Sequence, residues 1–359
     1  MTYDGYAALL AALRDIDRVP DRARDWEALI ARAREADLLG TLEHRLRGRG
    51  TLERVPDAPR AHLTAARILA DAQKAAVRRE VDEIVTALRG VDAPIVLLKG
   101  AAYLLAGLPA AHGRIFSDVD ILVPKHALPG VESALMLGGF ATTHLHPYDQ
   151  RYYRRWMHEL PPMQHMKRLT VVDVHHALVP ETGRVHPDAA ALFRAAVAIP
   201  GRSDVSVLAP TDMVLHSATH LFHNEEMTHG VRDLVDIDRL LRHFALADTR
   251  YFDKLVLRAA EMELTRPLYY ALRWSSHLLG TPIPDAATDY MRRHAPGAPT
   301  EALMHALLTH ALPPSAERFA TRWARRALYM RGHWLKMPVP LLAWHLTVKS
   351  FRREEEQPA

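Results

Sequence analysis

The sequence predicts an α/β core set between two helical regions. Short apolar runs bounded by turn residues alternate with helical patterns between about Val91 and Leu178, the signature of an α/β unit. The stretches on either side are apolar at helical spacing and rich in alanine, leucine and arginine, which favour helix. A chain of 359 residues, 48% apolar and 25% charged, has the material for a packed core with helical elaborations. The expected division is a helical region over 1–90, the core over 91–208 and a helical domain over 209–359.

Taken in order, Tyr3 to Ile16 repeats apolar residues at helical spacing, and Pro20 with Asp21 opens a second helix carried by Trp26, Leu29 and Ile30. Pro56 and Pro59 break the pattern. A long helix follows from about Arg60 to Arg89, with Leu63, Ile68, Leu69, Ala72, Val77, Val81, Ile84 and Leu88 on or near one face and Gly90 as its stop. Ile95 to Leu98 is an apolar run of the buried-strand type, and a helix starts at the glycine of Lys99-Gly100. Gly107 to Gly113 reads as a loop, Val119 to Val123 as a second buried strand, and Lys125 to Leu137 as a helix ended by Gly138-Gly139. A hairpin is expected between His158 and Leu178, its arms Met163–Lys167 and Thr170–His176. Beyond Pro187 the pattern is mostly helical, and the acidic tail Glu354 to Glu356 reads as frayed.

Composition narrows the chemistry. The absence of cysteine removes disulfides, thiolate metal sites and cysteine nucleophiles; it fits a reducing compartment, and a cytoplasmic protein is expected. Met1 to Leu10 lacks the basic start of a secretory signal. No window approaches the ~20 apolar residues of a membrane span; the nearest, Val339 to Val348, reads as a buried helix. A net charge of +4 and a pI near 9.3 suit a polyanionic partner and lean toward RNA.

The informative residues are acids. Asp118 and Asp120 stand at the mouth of an apolar strand, and strand alternation points residues i and i+2 to the same face. Two carboxylates held together repel unless a cation neutralises them. Mg²⁺ suits such a pair because it binds one or two carboxylates, waters and substrate phosphates. Asp173 lies within another expected strand, Thr170 to His175, where an isolated carboxylate is unfavourable. Should the two strands be neighbours, three acids converge, able to hold one or two divalent ions, with Asp173 placed to activate an acceptor hydroxyl. Lys99-Gly100, at a strand end where a helix begins, presents backbone N–H groups and a cation to phosphate.

Together, Leu97-Leu98-Lys99-Gly100-Ala101-Ala102, Arg114, Ser117-Asp118-Val119-Asp120-Ile121-Leu122-Val123 and Val172-Asp173-Val174-His175 resemble the uncharacterised nucleotidyltransferase family of the DNA polymerase β-like superfamily. A weaker likeness continues through His216, His220, Asp233 and Asp236. The resemblance implies a mixed sheet flanked by helices and Mg²⁺-dependent (alternatively Mn²⁺-dependent) transfer of a nucleoside monophosphate from an NTP, ATP by default, with release of pyrophosphate. It makes Asp118, Asp120 and Asp173 the metal-binding, catalytic carboxylates and places Gly100 at the helix-opening glycine. Lys99, Arg114, Ser117 and His175 are the further residues expected on the nucleotide, His175 alternatively being a strand histidine satisfied by a neighbour. One departure stands out. The superfamily motif carries a second glycine and a serine where this chain has Lys99-Gly100-Ala101. The acceptor stays open: a small molecule, a peptide or protein, or an RNA end. Two rival readings are a non-catalytic nucleotide- or partner-binding module and a metal-dependent phosphohydrolase.

Three further features carry possible roles. His216, His220 and His223 share one helix face, but Ser217 follows where a metalloprotease helix has glutamate, and the nearest carboxylates are Glu225 and Glu226. Arg318, Arg322, Arg325, Arg326 and Arg331 punctuate an aromatic helix as either a solvated face or a docking face. Tyr148 to Trp156 is a candidate lid able to stack on a base.

Overall fold

Strand β1 (Val96–Leu97) is the hinge of the architecture: it pairs antiparallel with β2 (Asp118–Leu122) and parallel with the much later β7 (Arg202–Val207). The computed structural model describes residues 4–142, 146–223, 227–314 and 318–344. Among them, β3 (Phe140–Thr142), β4 (Met163–His165), β5 (Val171–His175) and β6 (Val197–Ile199) complete a mixed seven-stranded sheet in the order β3-β4-β5-β2-β1-β7-β6. At its centre β2 runs parallel to β5, so that Asp120 lies opposite Asp173 and Leu122 opposite His175. Val119, Ile121, Leu122, Val172 and Val174 are all buried, as expected of strands covered on both faces.

Helices surround this sheet. Before it come α1 (Gly5–Arg14), α2 (Ala23–Glu35), α3 (Leu39–Arg49) and α4 (Asp57–Leu88). Within it lie α5 (Lys99–Leu105), α6 (Leu128–Leu137), α7 (Pro147–Trp156) and α8 (Ala189–Ala195). After it follow α9 (Pro210–Phe222), α10 (Gly230–Ala247), α11 (Tyr251–Glu261), α12 (Thr265–Leu279), α13 (Asp285–Arg293), α14 (Ala298–Ala311) and α15 (Phe319–Lys336). One continuous apolar core runs from Ala8 through the sheet to Leu328, so the flanking helices and the sheet share their packing.

Local chemistry explains several ends. The Asp4 carboxylate accepts from the Tyr6 N–H to open α1, and Asp188 does the same for α8 through Ala190. Gly113, at a φ of +69°, faces Gly40 so closely that a Cβ on either would lie within 2.5 Å of the other's backbone oxygen. That contact seats the loop before Arg114 against the start of α3.

The structure corrects five readings of the sequence. The stretch after Pro187 is not uniformly helical: β6 and β7 form an antiparallel hairpin there and cover the β1 edge. The apolar run Ile95–Leu98 contributes only two paired residues, and α5 opens at Lys99 itself, whose φ is +42°. On α4 the buried stripe is Leu63, Ala70, Val77, Val81, Ile84 and Leu88. Ile68, Leu69 and Ala72 lie off that stripe and are exposed, because the helix packs on one side only. Of the run Val339 to Val348, residues 339–344 are described and helical, and Val339 and Trp344 among them are exposed, so that described part is not a buried helix. Helix α3 and strand β3 are additions that the sequence pattern does not announce. The expected tail at Glu354 to Glu356 lies outside the described residues, as do Glu225 and Glu226. Among the described residues no helix is long and apolar enough to cross a membrane.

Candidate active site

The sheet topology decides where the acids meet. Strand alternation puts Asp118 and Asp120 on one face of β2, and the parallel pairing sets Asp173 beside Asp120. One carboxylate oxygen from each of Asp118, Asp120 and Asp173 lies within 4.8 Å of the others. Like charges on directly opposed strand positions are destabilising, and the surroundings of each acid show how it is balanced.

Asp120 is buried and its Oδ1 accepts from Lys99 Nζ at 2.8 Å and from His175 Nε2 at 3.2 Å. Burial works against its charge, but Lys99 and then the His175 hydrogen bond hold it well below the usual carboxylate range. Asp118 accepts from the Ser117 hydroxyl at 2.8 Å; burial and then Asp120 push it up. Asp173 has no such help. Its Oδ1 is buried without a hydrogen-bond partner among the described residues, and burial with the Asp120 charge raises the carboxyl to about 7.

This is the situation a divalent cation relieves. A buried orphaned carboxylate oxygen is costly, three oxygens lie within coordinating reach of one another, and an all-carboxylate donor set suits a hard ion such as Mg²⁺ or Mn²⁺. The residues present therefore fit such an ion.

A cavity of about 320 Å³ opens onto these acids. Lys99 and Gly100 form part of its wall, but Lys99 is committed to Asp120 rather than reaching outward. The room left by the missing side chain of Gly100 is taken by Arg114: a Cβ there would lie 2.6 Å from Arg114 Nη1 and 3.0 Å from Phe116 Cδ1. Arg114 is buried, donates through Nε to Asp236 Oδ2 at 2.8 Å, and lies over the Tyr103 and Phe116 rings. Ser117 and His175 also line the cavity. All eight residues singled out in the sequence thus meet in one place.

Family comparison bears on this arrangement. The family model described as "Uncharacterised nucleotidyltransferase" matches residues 22–280. The chain belongs to that family. The match takes in the whole sheet together with all of α2 to α12. Comparison with curated proteins finds no match. Among solved structures, the crystal structure of JHP933 from Helicobacter pylori is similar at 15% identity and a TM-score of 0.34, over 80% of this chain and 98% of that one. A likeness that distant carries no argument about activity.

The cavity also has walls that the sequence did not single out. His158 and Glu159 reach it from the segment before β4, Tyr103 from α5 and Lys336 from the end of α15. Pro161-Pro162 masks the extended pairing of 158–160 with the end of β5, so periodicity had no way to find the first two.

The remaining candidates separate. His216 and His220 line the cavity whereas His223 does not. Burial holds His216 down to about 3 and His223 to about 4, both neutral imidazoles. None of the three joins a group able to hold a metal among the described residues. Tyr148 to Trp156 lies in α7, and among the described residues none of that stretch lines the cavity; Met157, just past the helix, does. Arg325 donates to the Ala311 and Pro313 carbonyls and Arg331 to that of Phe222, so these two guanidiniums fasten α15 to its neighbours.

Proposed function

We propose that this cavity transfers a nucleoside monophosphate from an NTP, ATP by default, to a hydroxyl or phosphate oxygen of an acceptor. The observation that carries the reading is the convergence of Asp118, Asp120 and Asp173 on adjacent parallel strands, with Asp173 Oδ1 buried and unpartnered. In this reading residues 91–208 are the catalytic core, and the helices on either side complete the walls that receive the acceptor.

The acceptor oxygen attacks the α-phosphorus of the NTP, the bond from that phosphorus to the bridging oxygen of the β-phosphate breaks, and pyrophosphate leaves with the bonding pair. Asp173 is the group placed to take the acceptor's proton, its affinity for protons already raised by burial and by Asp120. Asp118, Asp120 and Asp173 would hold a divalent ion, which would supply Lewis-acid neutralisation of the phosphate charge. Lys99 and His175 hold Asp120 ionised and oriented. Arg114, fixed by Asp236, is the cavity wall's guanidinium for a phosphate oxygen, and compensates for the motif serine that this chain lacks.

The test is incubation with Mg²⁺ and each α-³²P-labelled NTP, with and without host RNA and protein extract, beside Asp118→Ala and Asp120→Ala. Label in an acceptor together with pyrophosphate, only with intact acids, is expected. Free NMP with no labelled adduct would replace transfer by hydrolysis. No label and no metal-dependent NTP binding by calorimetry would leave a binding module.

A further inference from the structure

We propose that His158, Glu159 and His175 form a second metal site in the same cavity, one suited to a borderline transition-metal ion of the Zn²⁺ class rather than to Mg²⁺. One ligand atom from each of the three lies within 4.8 Å of the others, a group separate in its members from the carboxylate trio. Within it, His175 Nδ1 and Glu159 Oε2 are 3.3 Å apart. Two ligands each about 2.0–2.1 Å from a tetrahedral zinc ion stand roughly 3.4 Å apart, so this pair already has the required separation. His158 is 4% exposed, and its Nδ1 has no hydrogen-bond partner among the described residues. A buried imidazole nitrogen with no protein partner among the described residues, its ring centroid 5.4 Å from that of His175, is a polar atom that a bound ion would satisfy.

The backbone holds these residues together. Glu159 and His175 form an antiparallel bridge, the His176 N–H donates to the His158 carbonyl at 2.8 Å, and the Leu160 N–H donates to that of Val174 at 2.8 Å. The three ligands are therefore positioned by paired main chain, not by a loop. The outer partners suit a metal as well. His175 Nε2 faces Asp120 Oδ1 at 3.2 Å, which leaves Nδ1 as the coordinating nitrogen in a carboxylate–histidine–metal chain. Asp120 in turn accepts from Lys99, so that chain is anchored.

Donor chemistry separates the two positions. Two imidazoles and one carboxylate match the three-ligand sets of zinc sites that keep a fourth position open, whereas Asp118, Asp120 and Asp173 offer oxygen alone. The open position would face the cavity shared with the acids. None of this depends on nucleotidyl transfer: a chain that never turned over an NTP would hold the ion equally well.

Metal-free full-length protein titrated with Co²⁺, in millimolar Mg²⁺, tests the site. The expected result is one equivalent of Co²⁺ with the intense visible bands of a tetrahedral nitrogen and oxygen site, removed stoichiometrically by Zn²⁺. The bands should persist in an Asp118→Asn/Asp173→Asn variant. They should be lost in Glu159→Gln and in His158→Ala, with Kd rising more than about 100-fold, beyond the cost of losing an outer-shell partner. Glu159→Gln is close to isosteric, so it stands as the test should His158→Ala not fold. Bands that survive Glu159→Gln, bands lost with the two aspartates, or no stoichiometric binding would each overturn the proposal. Failure here would leave label transfer in Mg²⁺ untouched, and failure of label transfer would leave the Co²⁺ spectrum untouched.

Discussion

Arg114 and Asp236 make an internal test of the site's electrostatics. Their side chains are 10% and 6% exposed and meet at 2.8 Å, so removing either leaves a buried charge. The two losses are not equivalent. In Arg114→Met the stranded Asp236 can take up a proton; burial and Asp233 already push its carboxyl up, with Arg114 pulling it back. Protonating a carboxyl with an unfolded-state pKa of about 3.9 costs at most about 4 kcal/mol at pH 7 and about 1.5 kcal/mol at pH 5, at 1.36 kcal/mol per unit. A folded-state pKa raised above the unfolded one favours the fold at low pH and penalises it as pH rises, so the penalty of Arg114→Met should shrink on acidification. In Asp236→Leu the stranded guanidinium cannot shed its proton. Its cost should be about 3–5 kcal/mol and equal at both pH values. Arg114→Met/Asp236→Leu, which leaves no charge, should lie far closer to the parent than the two single costs summed. Urea midpoints for the four proteins, each compared with the parent at the same pH, decide it. A pH-independent penalty for Arg114→Met, or additive single costs, would refute the reasoning.

Asp173→Asn removes the acid raised by burial and Asp120. It should stabilise the metal-free protein by on the order of 1–2 kcal/mol while abolishing label transfer, a stability gain from a functional group of the usual kind; thermal melts in EDTA and in Mg²⁺ should show the gain only in EDTA. Gly100→Ala places a Cβ 2.6 Å from Arg114 Nη1, whose Nε is pinned to Asp236. The cost expected from overpacking is about 1–3 kcal/mol, and most of it should disappear in an Arg114→Met background, as paired urea titrations would reveal. His216 and His223 are neutral in the fold at pH values where the unfolded chain is protonated. Their stabilisation is complete above pH 6.5 and lost as pH falls toward 4 and then 3, by about 1.4 kcal/mol per pH unit for each histidine. His223→Leu should flatten the loss between pH 6.5 and 4 by about that slope, and an unchanged slope would show that its burial is not the cause.

The acids were legible in the sequence because two of them share a strand, and alternation alone assigns Asp118 and Asp120 to one face. Their meeting with Asp173 was conditional, since no spacing states that a strand at 171–175 pairs with one at 118–122; only the sheet order does. The same limit hid the hairpin β6–β7. Its turn signal, Pro200-Gly201 with Gly201 at a φ of +77°, was present, but Val197 is exposed and Arg202, Ser203 and Asp204 are polar, so no apolar alternation marked the arms. Ile68 and Leu69 misled in the opposite sense: apolar residues at nearly helical spacing are not buried unless something packs on their side of the helix.

The residues that sequence reasoning could least supply are those whose environment changes what the acids are. Lys99 could be read as a phosphate ligand only while its neighbour was unknown; at 2.8 Å from Asp120 its charge is spent keeping that carboxylate ionised. His175 likewise stands between Asp120 and Glu159, and so links the carboxylate trio to His158 and Glu159. Three acids in a cavity would otherwise compete for protons. Here one is held charged by a buried cation, one is tethered by a serine hydroxyl, and one is left protonatable with an oxygen unpartnered. In the proposed reaction that inequality among identical side chains favours Asp173, rather than Asp118 or Asp120, for the acceptor's proton, and apart from Ser117 beside Asp118 it arises from groups distant in sequence.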